Sequence, residues 1–305
     1  MQLNFITGNK GFVGQYLSQF LVDKGKGIIG VSRNPVLGEL SYDTLNVEKL
    51  NNSKSLIHLS GKAHDLKKTS NDDDYFEANT ALTKTLFDLF LKSECDVFIY
   101  MSSVKAAADA VQGKLVEDVS PNPITAYGKS KLAAENYILS KEIPSTKSVY
   151  ILRPCMIHGP NNKGNLNLLY TFVSKGIPYP FGSYENKRSF VSIDNLCFII
   201  NELLENKTIP SGIYNIADDA SLSTNELVKI IGKTIGKKVK VLKVPKLIIR
   251  FFAKIGDIFP LPINSERVQK LTENYEVSNY KIKKAIKKEV PLSAEEGIIK
   301  TITSF

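Results

Sequence analysis

Leu3-Asn4-Phe5-Ile6-Thr7-Gly8-Asn9-Lys10-Gly11-Phe12-Val13-Gly14 is the stretch from which the rest of the chain can be read. Gln2 to Thr7 is a short apolar run of the kind that forms a buried strand, and a helical pattern follows through Tyr16-Leu17-Ser18-Gln19-Phe20-Leu21-Val22. The glycines between them are spaced Gly-x-x-Gly-x-x-Gly. A turn that brings backbone amides up to a pyrophosphate has no room for Cβ atoms, and a helix that meets a strand closely needs a small residue at the contact. The first amides and the dipole of the helix then hold the phosphates. Strand, glycine turn and helix in this order predict dinucleotide binding by Gly8, Gly11, Phe12, Val13 and Gly14. A turn serving packing alone would explain the glycines but not their setting.

Working outward, Gly27 to Ser32, Ser55 to Ser60, Asp96 to Met101 and Ser148 to Leu152 read as further apolar strands. Helical spacing over 76–92 and from Ser130 to Ser140 separates them. Apolar strands alternating with helices predict an α/β fold, a Rossmann-type doubly wound parallel sheet. After Gly159-Pro160 the regularity breaks into short pieces rich in Pro, Gly and Asn. The expected division is a dinucleotide-binding domain at 1–160, also receiving parts of 188–216, and a smaller, irregular C-terminal substrate domain at 161–305.

An NAD-binding chain is expected to place a carboxylate about 20 residues after the glycine turn, for the adenosine ribose hydroxyls. Here Ser32-Arg33-Asn34 stands at the end of the second strand, with no acid expected nearby. A hydroxyl and a guanidinium suit a ribose 2′-phosphate, so NADP(H) is expected over NAD(H). Asp43 and Thr44, after a short third strand, are candidate contacts to the adenine.

Tyr127 and Lys131 are four residues apart, on one helix face. A phenol is a poor base at neutral pH unless a nearby ammonium favours its phenolate, and Lys131 could serve in that role and bind the nicotinamide ribose. Ser103, just past the strand ending Tyr100-Met101-Ser102, could hold the substrate oxygen while hydride and proton move.

Together with Ile57-His58-Leu59-Ser60-Gly61, Asn79-Thr80, Arg153-Pro154, His158-Gly159-Pro160 and Arg188-Ser189-Phe190-Val191-x-x-Asp194-Asn195-Leu196, these motifs resemble the extended short-chain dehydrogenase/reductase family, the nucleotide-sugar epimerases, dehydratases and reductases. The resemblance runs over nearly the whole chain. It implies Ser103, Tyr127 and Lys131 as the catalytic set, Leu59, Ser60, Gly61 and Pro154 around the cofactor, and Asn79 positioning the region of the fourth strand. Gly164-Asn165-Leu166 is similar to the family's turn on the nucleotide diphosphate, Arg188 to its diphosphate arginine, and Arg267 to a second arginine. Two departures lie beside the sugar pocket. Val104-Lys105-Ala106-Ala107 replaces a common Val-Tyr-Gly, and Met156 and His158 stand where an Asn and a Tyr are usual. The resemblance also implies a homodimer through the helices at 76–92 and 131–140.

The implied chemistry is redox at C4 of a nucleotide-linked hexose, with UDP the expected nucleotide. The leading expectation is reduction of a UDP-4-keto-6-deoxy-N-acetylhexosamine for surface polysaccharide. The alternative is a UDP-hexose or UDP-N-acetylhexosamine 4-epimerase holding NAD tightly, and a non-catalytic NADP-binding sensor is more remote, because both Tyr127 and Lys131 are present.

Composition narrows the classes further. The 305 residues are 43% hydrophobic and 23% charged, which fits a globular protein and not a disordered one. The net charge of +9 raises nucleic acid as a partner, but the lysines are scattered and no nucleic-acid-binding motif accompanies them, so none is expected. Cys95, Cys155 and Cys197 are too few for a disulfide framework, and the three histidines lack metal-ligand spacing, so no metal site is expected. With no signal-like start and no run of about 18 apolar residues, the expected location is the cytoplasm. Leu247 to Ile263 is the most apolar stretch of the second half; it reads as a core or lid helix, with an amphipathic helix on a membrane face as the alternative.

Overall fold

The computed structural model describes residues 3–62, 71–162, 165–259 and 264–305. Gln2, His64, Gly164 and the end of the apolar stretch at 260–263, all named above, lie outside the described residues. The first half runs β1 (Leu3–Thr7), α1 (Phe12–Asp23), β2 (Gly27–Val31), α2 (Val47–Asn51), β3 (Ser53–His58), α3 (Asp72–Tyr75), α4 (Leu82–Lys92), β4 (Val97–Met101), β5 (Lys114–Leu115), α5 (Ala126–Leu139) and β6 (Ser148–Pro154). The second runs β7 (Met156–His158), α6 (Asn165–Ser174), β8 (Phe190–Ser192), α7 (Ile193–Glu205), β9 (Gly212–Ile216), α8 (Thr224–Thr234), α9 (Lys246–Ile258), α10 (Ser265–Thr272), β10 (Glu276–Val277), α11 (Tyr280–Ile286) and α12 (Ala294–Thr303).

Six strands form one parallel sheet in the order β2-β1-β3-β4-β6-β9. One face packs Leu17 and Leu21 of α1 with Leu196, Ile199, Ile200 and Leu203 of α7. The other packs Leu86, Phe87 and Phe90 of α4 with Ala134 and Ile138 of α5. Burial on both faces is why the strands read as unbroken apolar runs. Strand order reverses between β1 and β3, and a crevice at the strands' carboxyl ends is the expected ligand position.

Three local expectations change. No third strand precedes Asp43; Leu40 makes a single bridge with Val31. Helical spacing over 76–92 hides a wider π turn at Phe76–Ala81 ahead of α4. Helix α5 starts earlier than its apolar pattern suggests, because the Thr125 hydroxyl accepts from the Gly128 amide and caps it.

The C-terminal half returns three times to the sheet, through α7, through β9 and through Ile282 and Ile286 of α11. The rest gathers around a separate cluster of Leu169, Val173, Leu227, Ile231, Ile298 and Ile302. Of α9 only Ile249, Ala253 and Gly256 are buried, so it is not a core helix. Among the described residues no helix is long and apolar enough to cross a membrane.

Candidate active site

The glycine turn leaves β1 through Gly8, whose φ of +70° favours glycine. A Cβ there would lie 2.9 Å from the Ser60 amide nitrogen, and one on Gly14 would lie 2.2 Å from the Gly8 carbonyl oxygen. Gly11 precedes Phe12 and Val13 without any side-chain cap, so the first amides of α1 are open to a phosphate. A cradle that only glycines can line, beside an uncapped helix start, fits a dinucleotide pyrophosphate.

The adenosine edge differs from the sequence expectation. Ser32 is buried and Arg33 exposed at the end of β2, as the order of residues requires. However, an acid is present there in space. The loop after β2 folds back so that Glu39 accepts from the Asn9 side-chain Nδ2 at 2.6 Å and, on its second oxygen, from the Val36 backbone amide at 3.0 Å and the Ser32 hydroxyl at 3.3 Å. Lys10 Nζ lies 3.1 Å from the same carboxylate. Hydrogen bonds and Lys10 hold Glu39 below the usual carboxylate range, although its partial burial works the other way. The premise that no acid is nearby, on which the NADP(H) expectation rested, is therefore corrected. Thr44 turns its hydroxyl to Ser41, and Asp43 is exposed beside it. The neighbour that reaches inward is Tyr42, bonded to the Ser60 hydroxyl at 2.5 Å.

Further along the strand ends, Leu59, Gly61, Met101, Ser103, Tyr127, Lys131, Pro154 and Cys155 line a cavity of about 220 Å³. Asn79, in the π turn, is buried; it accepts from the Lys62 amide at 2.8 Å and donates to the Ser130 hydroxyl at 3.0 Å. It thereby ties the segment after β3 to α5. A Cβ on Gly61 would lie 2.6 Å from Asn79 Oδ1 and 3.0 Å from Lys131 Nζ, so glycine keeps this wall open.

The three predicted chemical residues converge here. Ser103 hydrogen-bonds Tyr127, which holds the phenol down, but burial is the larger cause and pushes it up. Lys131 Nζ donates to the Met101 carbonyl at 2.8 Å. Burial brings its ammonium down from 10.5 to about 8, while Glu135 raises it. Glu135, one turn further along α5, was not anticipated. It accepts from Arg153 at 2.6, 3.0 and 3.2 Å and from the Ser102 hydroxyl, with both charged side chains buried. The signal was in plain view: an acid four residues after Lys131, and Arg153 in an otherwise apolar strand.

The substrate side is looser. Helix α6 begins at Asn165, and Leu166 packs into the C-terminal cluster. Arg188 donates to the Lys270 carbonyl at the end of α10 and lies 3.5 Å from Glu273. Arg267 is exposed one turn earlier on α10, where its amide is capped by Asn264 at 2.9 Å. Lys105, the residue in place of the usual tyrosine, donates to the Asp109 carbonyl at 2.8 Å and lies 4.4 Å over the Tyr275 ring. His158 bonds Thr301 at 2.9 Å, and His58 is held between Thr7 and Thr83, both packed roles as expected. Asp72, Asp73 and Asp74 form an exposed helix start, and among the described residues no cluster of His, Cys, Asp and Glu could hold a metal ion.

A family model described as "NAD dependent epimerase/dehydratase family" matches residues 4–217. Over 98% of the chain and 94% of the other protein, the sequence is 30% identical to the UDP-glucose 4-epimerase of Vibrio cholerae. Among solved structures, MoeE5 in complex with UDP-glucuronic acid and NAD is similar at a TM-score of 0.74 and 20% identity, covering 100% of this chain and 98% of that one. The human epimerase family protein SDR39U1 with NADPH is similar at 0.77 and 17% identity, covering 98% of each chain. At these identities the structural likenesses show the fold, a parallel sheet with flanking helices shared with nucleotide-binding proteins.

Proposed function

This chain belongs to the NAD dependent epimerase/dehydratase family, and we propose that within it the protein is a UDP-hexose 4-epimerase working with a retained NAD. The likeness to a UDP-glucose 4-epimerase over nearly the whole chain supports the reaction. The observation that carries the choice of cofactor is Glu39, bonded to Asn9 of the glycine turn and beside Ser32. A carboxylate there accepts from two ribose hydroxyls and repels a 2′-phosphate.

When bound, NAD supplies the acceptor and donor of hydride. The chain's own residues manage the proton. Tyr127 Oη takes the proton of the C4 hydroxyl and returns it, while Ser103, its hydrogen-bond partner, orients that oxygen. Lys131, on the same face of α5 with its ammonium brought down to about 8 by burial, favours the phenolate form when it is protonated. Arg188 and Arg267, with the start of α6 at Asn165 and Leu166, bind the UDP diphosphate, guanidinium being suited to paired phosphate oxygens. A homodimer through α4 and α5 completes the proposal.

A 4-ketoreductase using NADPH is the second reading, favoured by Lys10 and Arg33, two cations at the edge where a 2′-phosphate would sit. Incubation with UDP-glucose and UDP-N-acetylglucosamine, no nucleotide added, separates the two. Inversion at C4, read by proton NMR, is expected. Turnover only of a UDP-4-keto sugar with added NADPH would replace the epimerase by the reductase.

A further inference from the structure

Helix α9 turns most of its apolar surface outward. Ile249, Ala253 and Gly256 form its buried face, whereas Leu247, Ile248, Phe251, Phe252 and Ile258 are 47–80% exposed. At about 100° per residue these five lie on one continuous arc, and Lys246, Arg250 and Lys254 fill the adjoining arc. The segment leading into the helix adds exposed Lys240 and Lys243, and residues 237–257 hold seven Lys and Arg against one acid, Asp257. That acid is engaged by the amide and hydroxyl of Ser265. Among the described residues Lys246, Arg250 and Lys254 have no carboxylate partner.

We propose that α9 docks this protein on an anionic lipid surface. Aromatic and aliphatic side chains beside cations without carboxylate partners match the two layers of such a surface, acyl chains below and anionic headgroups above. Charge complementarity selects this occupant over a second copy of the chain. A two-fold interface sets a patch against itself and would bring these cations against their own copies. The inference stands apart from the reaction proposed above, and turnover in vesicle-free solution reports on that reaction separately.

Sedimentation with vesicles tests it. The protein should pellet with equimolar phosphatidylglycerol and phosphatidylcholine, remain in solution with phosphatidylcholine alone, and be released by high salt. Arg250→Gln with Lys254→Gln should weaken partitioning about thirtyfold, the change expected from about 1 kcal/mol per cation. Phe251→Ser with Phe252→Ser should abolish it. Both variants should turn over soluble substrate as the unaltered protein does. Absence of binding to the anionic vesicles, or binding unchanged in both variants, would overturn the proposal. So would a concentration-dependent dimer in sedimentation velocity that the Phe251→Ser, Phe252→Ser variant loses, since the face would then belong to a second copy.

Discussion

The cavity wall and the outer face of α9 depart from ordinary burial in opposite ways. Behind that wall, Glu135 and Arg153 form an ion pair at 0% and 1% exposure, each held by the other, and the Ser102 hydroxyl adds a further contact to Glu135. On α9 the large apolar side chains face outward beside cations that have no carboxylate partner among the described residues. A buried ion pair contributes little net stability, because desolvation offsets its attraction, but it fixes geometry, here that of the helix and strands carrying Ser103, Tyr127 and Lys131. A contiguous exposed apolar arc beside a polar rim marks an interaction surface. The inner surface is built for chemistry and the outer one for location.

The contrast predicts unequal responses to substitution. The largest belongs to Tyr127→Phe, which keeps the ring and removes the oxygen that carries the proton. C4 inversion should slow by about 10²–10⁴-fold while the circular dichroism spectrum is preserved. An unslowed variant would move the chemistry elsewhere. Next comes Glu135→Ala, which leaves the Arg153 guanidinium buried alone and should lower unfolding free energy by about 3–5 kcal/mol in urea titration. Adding Arg153→Met should recover most of that loss, and equal losses in both variants would show that the unpaired Arg153 charge is not its cause.

His58 gives a pH test of the same interior. Burial, with the Lys131 charge adding to it, lowers its imidazole from 6.5 to about 3. Between those values the unfolded chain binds a proton that the folded chain does not, so stability falls as the pH is lowered through that window, by up to ~1.4 kcal/mol per pH unit. His58→Gln should remove that part of the slope in urea midpoints measured across the window. At the adenosine edge, Glu39→Gln removes the charge that disfavours a 2′-phosphate and should shift the NADP⁺ to NAD⁺ affinity ratio about tenfold, a change of ~1.4 kcal/mol, in nucleotide titrations. The smallest effect belongs to α9. Phe251 is 62% exposed, so Phe251→Ser should change stability by no more than about 0.5 kcal/mol. A larger loss would mean that the arc packs against something within the chain.

What could be read from the sequence follows the same divide. Gly8, Gly14, Ser103, Tyr127 and Lys131 belong to short local patterns that place them on a turn, a strand end and one helix face, and they lie at the glycine turn, just past β4 and on α5. Glu39 belongs to no pattern. It reaches the glycine turn because the loop from Val36 to Glu39 closes on itself and Leu40 bridges Val31, and no periodicity announces such a loop. Asn79 was legible as a residue but not as part of a π turn, since one inserted residue leaves the apolar spacing on either side intact. Helices α7 and α9 make the limit plain. Each has thirteen residues and a strongly apolar sequence, yet nine are buried in α7 and three in α9. Amphipathic spacing sets which residues share a face. What that face meets depends on partners brought from distant parts of the chain.

The most direct test of the proposed chemistry is to denature freshly purified protein and identify the released nucleotide by mass. The epimerase reading, with Glu39 at the ribose, predicts NAD in near-equimolar amount. Protein that releases none and binds added NADPH in preference to NADH would contradict it, and would return Arg33 and Lys10 to the role of holding a 2′-phosphate.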